Sequence, residues 1–460
     1  MSLLDRAGAR EPEVWSPVSL TPTDCGILWS MTTESALVAV VHRLRRDTAD
    51  RNPASREQHE RARAVLPGGS TRTILHHAPF PLTFVEGDGG TLIDADGHRY
   101  VDLVGDYTAG LLGHSEKRVH AAVADALANN TSVGGVHPLE IRFAELVCNR
   151  FGHQRVRFTN SGTEANLFAI TLARIVTGRS TIMVMHGGYH GGVFFYSNGN
   201  APWNAPFPTI VAPYNDLEKC EQLIQDYGSE LAAVIVEPML GSGCVPAEPR
   251  FLSGLANATQ QVGTLLITDE VMTSRHGPRG LADLLGVRPD IATFGKYFAG
   301  GFSFGAFAGR AELLDRFDAS KPDSIPHAGT FNNNVATMAA GCVVMGELFS
   351  SDTAVSLTAR GEDLRARIDD VLHHHKLPLS ITGFGSMNAV HALAHRPHNG
   401  ADLLEKDPVL QEALFLSLLQ RGVYTAPRGS LNLGLAITER DIEHYLGALD
   451  ETLGELSDSL

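Results

Sequence analysis

The chain has 460 residues, of which 43% are hydrophobic and 19% charged, and its 52 acidic residues outnumber 37 basic ones to give a net charge of −15. This length allows about three domains of ordinary size and a large buried core. An acidic surface repels phosphate backbones and anionic lipids, so the composition disfavours nucleic-acid binding and electrostatic attachment to a membrane.

Glycine and cysteine usage narrows the class of protein further. There are 46 glycines without a collagen period, about a tenth of the chain against an average of about 7%, and such an excess indicates places where the backbone turns sharply or approaches a ligand closely. The five cysteines are scattered and include no C-x-x-C pair, which favours a reducing cytoplasm over a disulfide framework. Without a stretch of about 18 apolar residues or a metal-ligand pattern, we expect a cytoplasmic protein with neither a membrane span nor a metal site.

The first hundred residues predict an extension, a helical segment and a meander. Residues 1–30 show little periodicity and are treated as an uninformative N-terminal extension. Residues 34–66 have the spacing of an amphipathic helix that breaks near Pro53. Over residues 81–104, short runs in which apolar and polar residues alternate are separated by Asp-Gly turns, a pattern that predicts an antiparallel meander. We assign residues 31–106 to the first part of a small domain.

From about Tyr107 the pattern changes to short, continuous apolar strands that alternate with helices. Such strands predict a mostly parallel sheet covered by helices on both faces. After about Gly346 we expect two helices, a short β region, a further helix and a closing strand–helix pair. The predicted fold class is therefore α/β, with a large domain over residues 107–345 and a small α+β domain completed by residues 346–460.

The first segment with chemical character is Ser161-Gly162-Thr163, which follows an apolar strand and opens a helix. Backbone N–H groups, two hydroxyls and the positive end of the helix dipole together suit a phosphate group. The alternative interpretation is that Ser161 or Thr163 only caps the helix.

Two further segments place ionisable groups at strand ends. Asp269 ends an apolar strand, where open α/β sheets bind their ligands, although a surface turn or salt bridge is the alternative. Lys296 follows a short buried strand, and burial lowers the pKa of an amine until it can attack a carbonyl as the free base; a surface lysine is the alternative. A phosphate cradle, an acid and a buried lysine at successive strand ends together indicate a pyridoxal 5'-phosphate site.

The motifs as a set resemble the class III aminotransferases of the fold-type I pyridoxal phosphate superfamily over roughly residues 50–455. Within that class the chain is similar to the β-amino acid aminotransferases that act on β-phenylalanine-type substrates, and then to the glutamate-1-semialdehyde aminomutases. The resemblance implies a large, mostly parallel, seven-stranded-type sheet domain and a small α+β domain built from both termini. The motifs that carry it are NSGTEA (160–165), GGYHG (187–191), VEPM (236–239), DEVMTSR (269–275), GKY (295–297), SFGAFAGR (303–310) and HAGTFNNN (327–334).

The resemblance also implies a role for each motif residue. Lys296 would form the Schiff base with the cofactor and shuttle a proton, and Asp269 would pair with the pyridinium nitrogen. Thr330 would complete the site of the neighbouring subunit, which makes the enzyme a homodimer. The other cofactor contacts implied are Ser161, Gly162 and Thr163 on the phosphate, Tyr189 stacked on one face of the ring and Val271 packed on the other.

Two arginines stand at the family positions that meet substrate carboxylates, namely Arg72 and Arg428. A planar guanidinium binds a carboxylate through two hydrogen bonds, although both residues could be ordinary surface ion-pair partners. With them the resemblance implies ping-pong transfer of an amino group from an aromatic, β-phenylalanine-like β-amino acid to a 2-oxo acid acceptor, 2-oxoglutarate.

Two other functions remain open at this stage. An aminomutase of the glutamate-1-semialdehyde type would move the amino group within one molecule, but the Pro-Arg-Gly at Arg428 and the asparagines after Phe331 depart from that pattern. A catalytically silent protein of the same fold is the other alternative, and the presence of every chemical residue argues against it.

Overall fold

The computed structural model describes residues 31–129 and 133–459. The predicted extension over residues 1–30 lies outside the described residues. The helices are α1 (Met31–Arg51), α2 (Pro53–Arg63), α3 (Lys117–Asn129), α4 (Pro138–Phe151), α5 (Gly162–Thr177), α6 (Leu217–Tyr227), α7 (Pro249–Val262), α8 (Leu281–Leu284), α9 (Ala311–Leu314), α10 (Val335–Val343), α11 (Ser351–His375), α12 (Pro408–Gln420) and α13 (Glu439–Ser459).

The strands are β1 (Phe84–Asp88), β2 (Thr91–Asp94), β3 (Arg99–Asp102), β4 (Arg155–Thr159), β5 (Thr181–Met185), β6 (Thr209–Ala212), β7 (Leu231–Val236), β8 (Met239–Leu240), β9 (Val245–Pro246), β10 (Leu265–Asp269), β11 (Ile291–Gly295), β12 (Gly305–Gly309), β13 (Ser380–Phe384), β14 (Met387–His391), β15 (Val423–Tyr424) and β16 (Ser430–Asn432). Strands β1 to β3 form the antiparallel meander that the Asp-Gly turns predict. In the described residues, no helix combines the length and apolar character that crossing a membrane requires.

The centre of the molecule is a seven-stranded sheet in the order β4-β12-β11-β10-β7-β5-β6. Strand β12 is antiparallel to both of its neighbours, and the other pairings are parallel. Every residue of β5, β7, β10 and β11 is buried, as expected for strands covered by helices on both faces. The predicted α/β class with a large, mostly parallel sheet is confirmed.

The direction of these strands brings the chemical segments to one edge of the sheet. Strands β4, β10 and β11 run in the same direction, so their carboxyl ends meet at that edge. The chain leaves β4 for Ser161, β10 for Val271 and β11 for Lys296. This edge is where open α/β sheets bind ligands.

Segments from both ends of the chain pair beside this sheet. Strand β15 adds in parallel to β3, so one four-stranded sheet contains chain from before and after the large sheet. A second, three-stranded sheet is formed by β13, β14 and β16. This pairing supports the small domain built from both termini, and the division at residues 106 and 345 remains our proposal.

One predicted element is wrong. The residues after Gly346 form the single 25-residue helix α11 before the β region, not two helices. Gly361 lies within this helix where the backbone of Gly385 approaches it, and any side chain there would clash with the Gly385 carbonyl. The glycine lets the helix pass the β13–β14 turn without a break.

Candidate active site

The helix α5 begins at the edge where the strand ends meet. The Ser161 hydroxyl caps it by accepting a hydrogen bond from the Glu164 N–H at 3.2 Å, so the capping interpretation describes this oxygen correctly. The Thr163 hydroxyl accepts a hydrogen bond from the Gly192 N–H at 3.3 Å. The first N–H groups of a helix have no partner inside it, so Gly162 and Thr163 present donors at the positive end of α5.

Glycines allow neighbouring segments to approach this helix end closely. A Cβ on Gly162 would lie 2.9 Å from a Val271 methyl group, and one on Gly295 would lie 3.2 Å from the other. A Cβ on Gly191, whose φ is +124°, would clash with Thr163. The structure therefore brings Val271 beside the start of α5, and Gly162, Gly191 and Gly295 form a glycine cradle there in which an added Cβ would crowd a neighbouring side chain.

Asp269 is buried at the end of β10, and three hydrogen bonds hold its carboxylate. Its Oδ2 accepts one from Asn166 Nδ2 at 2.7 Å and pairs with His190 Nδ1 at 2.9 Å. Its Oδ1 accepts one from the Val271 N–H at 3.0 Å. The carboxylate is thus fixed in one orientation. Sequence reasoning missed Asn166 and His190, although both lie in or next to the motifs that carry the resemblance.

A second buried carboxylate belongs to the same group of charges. Glu237 accepts hydrogen bonds from the backbone N–H groups of Tyr189 and Gly241, each at 2.9 Å. Burial, together with the charge of Asp269, raises the pKa of Glu237 to about 7, although His190 acts in the opposite direction. Burial would lower the pKa of His190, but its hydrogen bond to Asp269 and the charges of Asp269 and Glu237 outweigh that effect and raise it.

Lys296 follows β11 with a φ of +58°, a left-handed conformation that costs a non-glycine residue about 1–2 kcal/mol. Burial is the largest influence on its amine and lowers its pKa to about 8. The charge of Asp106 raises this pKa, while Arg72 and Arg428 lower it further. The lysine therefore holds a substantial fraction of free base near pH 8, as expected from its position at the end of a buried strand.

The two arginines converge on one aromatic ring. The guanidinium carbons of Arg72 and Arg428 lie 5.5 and 5.3 Å from the centre of the Tyr107 ring. Arg72 also forms an ion pair with Asp106, at 2.6 Å between Nη1 and Oδ1, and Arg428 donates hydrogen bonds to Ser430 Oγ at 3.2 Å and the Gly241 carbonyl at 3.1 Å. Sequence reasoning missed Asp106.

Tyr189 and Thr330 both present surface to solvent in the single chain. Tyr189 is 44% exposed and its ring meets Phe195 edge to face, which leaves ring surface available for stacking. Thr330 is exposed. The segment that carries it is held by a hydrogen bond that Asn160 Nδ2 donates to Asn332 Oδ1 at 3.0 Å. The role of Thr330 toward a second subunit remains a prediction.

The residues present fit pyridoxal phosphate. The glycine cradle at the start of α5 offers donors for a phosphate, and Asp269 offers a buried, oriented carboxylate for a protonated ring nitrogen. Lys296 offers an amine of lowered pKa for an aldehyde. Within residues 31–129 and 133–459 there is no group of three side chains that could hold a metal ion.

Comparison with known proteins agrees with this chemistry. A family model described as "Aminotransferase class-III" matches residues 75–453. The chain is 45% identical over 407 residues to a β-phenylalanine transaminase of Variovorax paradoxus, covering 88% of this chain and 94% of the relative. It is 33% identical over 420 residues to a glutamate-1-semialdehyde 2,1-aminomutase of Thermoplasma acidophilum, covering 87% and 99%. The solved structure of a β-phenylalanine aminotransferase from Variovorax paradoxus superposes with a TM-score of 0.89 at 44% identity, covering 92% of this chain and 98% of that chain.

Proposed function

Because this chain belongs to the class III aminotransferases, a family of pyridoxal phosphate-dependent transaminases that use an amino donor and a keto acid, we propose that it transfers an amino group from an aromatic β-amino acid to 2-oxoglutarate. The observation that carries the proposal is the convergence of Arg72 and Arg428 on Tyr107, with both charges acting on Lys296. The 45% identical relative named as a β-phenylalanine transaminase supports the choice of donor.

When bound, pyridoxal phosphate supplies an electron sink for the charge that develops on the substrate carbon. In our proposal, Lys296 Nζ takes the proton from that carbon and returns it, which its lowered pKa permits near neutral pH. Asp269, held by Asn166 and His190, would offer its carboxylate to the ring nitrogen of the bound cofactor.

The remaining cofactor contacts are also proposals. Ser161, Gly162 and Thr163 would hold the phosphate at the start of α5, because that helix end combines free N–H groups with a positive dipole. Tyr189 would stack on one face of the ring, and Val271, which borders the glycine cradle, would pack on the other.

The two arginines explain how one site can accept two different substrates in turn. A β-phenylalanine-like donor has one carboxylate and an apolar ring, whereas 2-oxoglutarate has two carboxylates. Two guanidinium groups near Lys296 give each acceptor carboxylate a planar partner. The single carboxylate of the donor would bind one arginine of the same pair. Both substrates could therefore use one site in turn, as a ping-pong mechanism requires.

We also propose that the enzyme is a cytoplasmic homodimer in which Thr330 completes the partner's site. Next to Thr330, Phe331 is 62% exposed. Asn333 of the same segment donates a hydrogen bond to the Gly135 carbonyl at 3.0 Å, beside the exposed apolar side chains of Val136 and Ile141. Exposed apolar side chains grouped in this way mark association surfaces.

Incubation of the purified enzyme with β-phenylalanine and 2-oxoglutarate tests the proposal. We expect glutamate to form at a rate proportional to enzyme concentration, and Lys296→Ala to abolish it. No glutamate above the blank would refute the choice of substrates while leaving the family assignment intact.

The aminomutase is the second candidate, favoured by the 33% identity to the Thermoplasma enzyme. It predicts turnover of glutamate-1-semialdehyde without an external acceptor, and Arg428→Ala would leave this reaction almost unchanged. Our proposal predicts instead that Arg428→Ala raises the KM for 2-oxoglutarate.

A further inference from the structure

Arg72 already has a carboxylate partner in the free protein. Its Nη1 donates to Asp106 Oδ1 at 2.6 Å, and the two side chains are 44% and 53% exposed. An ion pair of this exposure is weak and open to solvent. A substrate carboxylate that binds Arg72 therefore enters a position beside a resident negative charge.

The backbone that carries Asp106 is in a disfavoured conformation. Four successive residues have positive φ, namely Gly105 at 51°, Asp106 at 42°, Tyr107 at 53° and Thr108 at 81°. Residues other than glycine rarely adopt positive φ, and a run of three such residues is uncommon. Strain of this kind persists only where surrounding contacts hold it, and it is concentrated at functional sites.

The contacts that hold this turn come from Asp102 and from the C-terminal part of the chain. Asp102 Oδ1 accepts hydrogen bonds from the N–H groups of Val104 at 2.9 Å and Gly105 at 3.0 Å, and its Oδ2 pairs with His114. Asn432 Nδ2 donates to the Val104 carbonyl at 2.8 Å. A rigid, buried support thus presents a solvent-accessible carboxylate to Arg72.

We propose that Asp106 is a specificity-determining residue, whose carboxylate occupies Arg72 in the free enzyme and competes with the substrate carboxylate for it. This inference rests on the proposed function, because it takes Arg72 as a site for substrate carboxylates. Asp106 lowers the affinity for ligands that place a carboxylate on Arg72. It leaves unchanged the affinity for amines that have no carboxylate.

The same pair balances the charge beside Lys296. Arg72 and Arg428 lower the pKa of this lysine, and the charges of Asp106 and Asp269 raise it. In the free enzyme Asp106 offsets the effect of Arg72 on Lys296. A substrate carboxylate bound at Arg72 would add a second negative charge beside Asp106, which is the repulsion that lowers its affinity.

The variant Asp106→Asn tests the inference directly. Asparagine keeps the shape of the side chain and tolerates positive φ better than most residues, and Asp106→Gly is a second variant that fits the same backbone. The probe is 3-phenylpropanoate, which has the ring and carboxylate of β-phenylalanine but no amino group, and its Kd for the holoenzyme is measured by calorimetry. We expect both variants to bind it about two- to fivefold more tightly, the range set by a half-exposed ion pair.

Kinetics provide the matching comparison. The KM for β-phenylalanine should fall by the same factor in Asp106→Asn, while the KM for 1-phenylethylamine, a donor without a carboxylate, should not change. Asp226→Asn removes one exposed acid from α6 and is expected to change neither value. Weaker or unchanged binding of 3-phenylpropanoate to Asp106→Asn and Asp106→Gly would overturn the inference, because it would show that Asp106 supports Arg72 or has no effect on it.

A double-mutant cycle separates this inference from the function on which it rests. In an Arg72→Ala background, Asp106→Asn should no longer tighten binding, because the pair no longer exists; tightening by the same factor would overturn the inference. If Arg72→Ala weakens 3-phenylpropanoate binding while Asp106→Asn does not tighten it, only the inference fails. If Arg72→Ala has no effect, the role of Arg72 in the proposed function fails as well.

Discussion

Three ionisable side chains at the candidate site form a buried cluster. Asp269 and Glu237 are both buried, and His190 is buried with them. His190 Nδ1 pairs with Asp269, and its Nε2 has no hydrogen-bond partner among the described residues. Two buried acids cost much less when a cation lies between them, which explains why the pKa of this histidine is raised despite its burial.

We therefore expect His190→Gln to destabilise the fold in a pH-dependent way. Removing one member of a buried ionic group costs about 3–5 kcal/mol. The pKa of Glu237 is raised to about 7 in the folded protein, so the folded state binds this proton more tightly than the unfolded state, and stability falls as pH rises from about 4.5 through 7. The raised pKa of His190 acts in the same direction, because its proton also stabilises the folded state and is lost as pH rises through the folded pKa. Denaturant unfolding should show that the wild-type protein loses stability between pH 5 and pH 8, and that His190→Gln, which lacks this second proton, loses a different amount over the same range.

The control for this prediction is His373→Gln, because His373 lies at the exposed end of α11. It should unfold like the wild-type protein at both pH values. An equal loss for His190→Gln at pH 5 and pH 8 would show that packing, not charge, explains the effect.

The lowered pKa of Lys296 leads to a second prediction at the scale of residues. Cofactor-free protein should acquire colour on addition of pyridoxal phosphate at a rate that rises with pH, because only the free amine reacts, and the midpoint should lie at about 8. Arg72→Ala should move the midpoint upward and Asp106→Asn should move it downward, since these charges act on Lys296 in opposite directions. Stopped-flow absorbance measures this rate. Movement of both midpoints in the same direction would contradict the charge assignment.

At the scale of elements, the strand β12 has to pass close to the start of α5. A Cβ on Gly305 would clash with the Ser161 carbonyl, which belongs to the backbone and cannot turn away as the end of a flexible side chain could. The antiparallel pairing of β12 with β4 matches Gly305 with Thr159. One glycine thus permits both the strand pairing and the position of the helix that we propose holds the phosphate.

Gly305→Ala should therefore damage both stability and cofactor binding. Overpacking of this kind costs about 1–3 kcal/mol, and displacement of Ser161 should lower the affinity for pyridoxal phosphate at least severalfold. Thermal unfolding and fluorescence titration of the cofactor-free protein measure the two effects. Gly447→Ala in α13 is the matched control, because a Cβ there meets open space, and it should be neutral or slightly stabilising. Normal cofactor affinity in Gly305→Ala would contradict the proposed link between this glycine and the phosphate site.

At the scale of the whole molecule, the exposed apolar side chains near Thr330 predict a subunit contact. Phe331→Asp should shift the protein from dimer to monomer in sedimentation velocity and lower its transaminase activity, because each site would lose the partner's Thr330. Val355→Asp, which places the same charge on an exposed apolar position of α11, should remain dimeric. A fully active monomer would contradict the shared site.

The features of this protein that depend on local sequence patterns could be predicted from the sequence. Continuous apolar runs predict the buried strands of the large sheet, and a lysine after such a strand predicts an amine of lowered pKa. The motif order indicates the family. The strand and lysine predictions depend on residues close together in the chain, whose propensities act locally, whereas the family is indicated by the resemblance of the ordered motifs.

Tertiary structure alone decided which distant side chains meet. His190 and Glu237 come near Asp269 because β5, β7 and β10 lie side by side in the sheet, an order that no single segment encodes. Asn166 reaches the same carboxylate from the helix α5. The pairing of Arg72 with Asp106 needs a left-handed turn that Asn432 supports from more than three hundred positions away along the chain. The reason for Gly361 within the single helix α11 is likewise visible only in the fold, where the β13–β14 turn approaches the helix closely. Burial and charge act through space, so contacts between remote segments, and with them the detailed electrostatics of the site, appear only when the chain has folded.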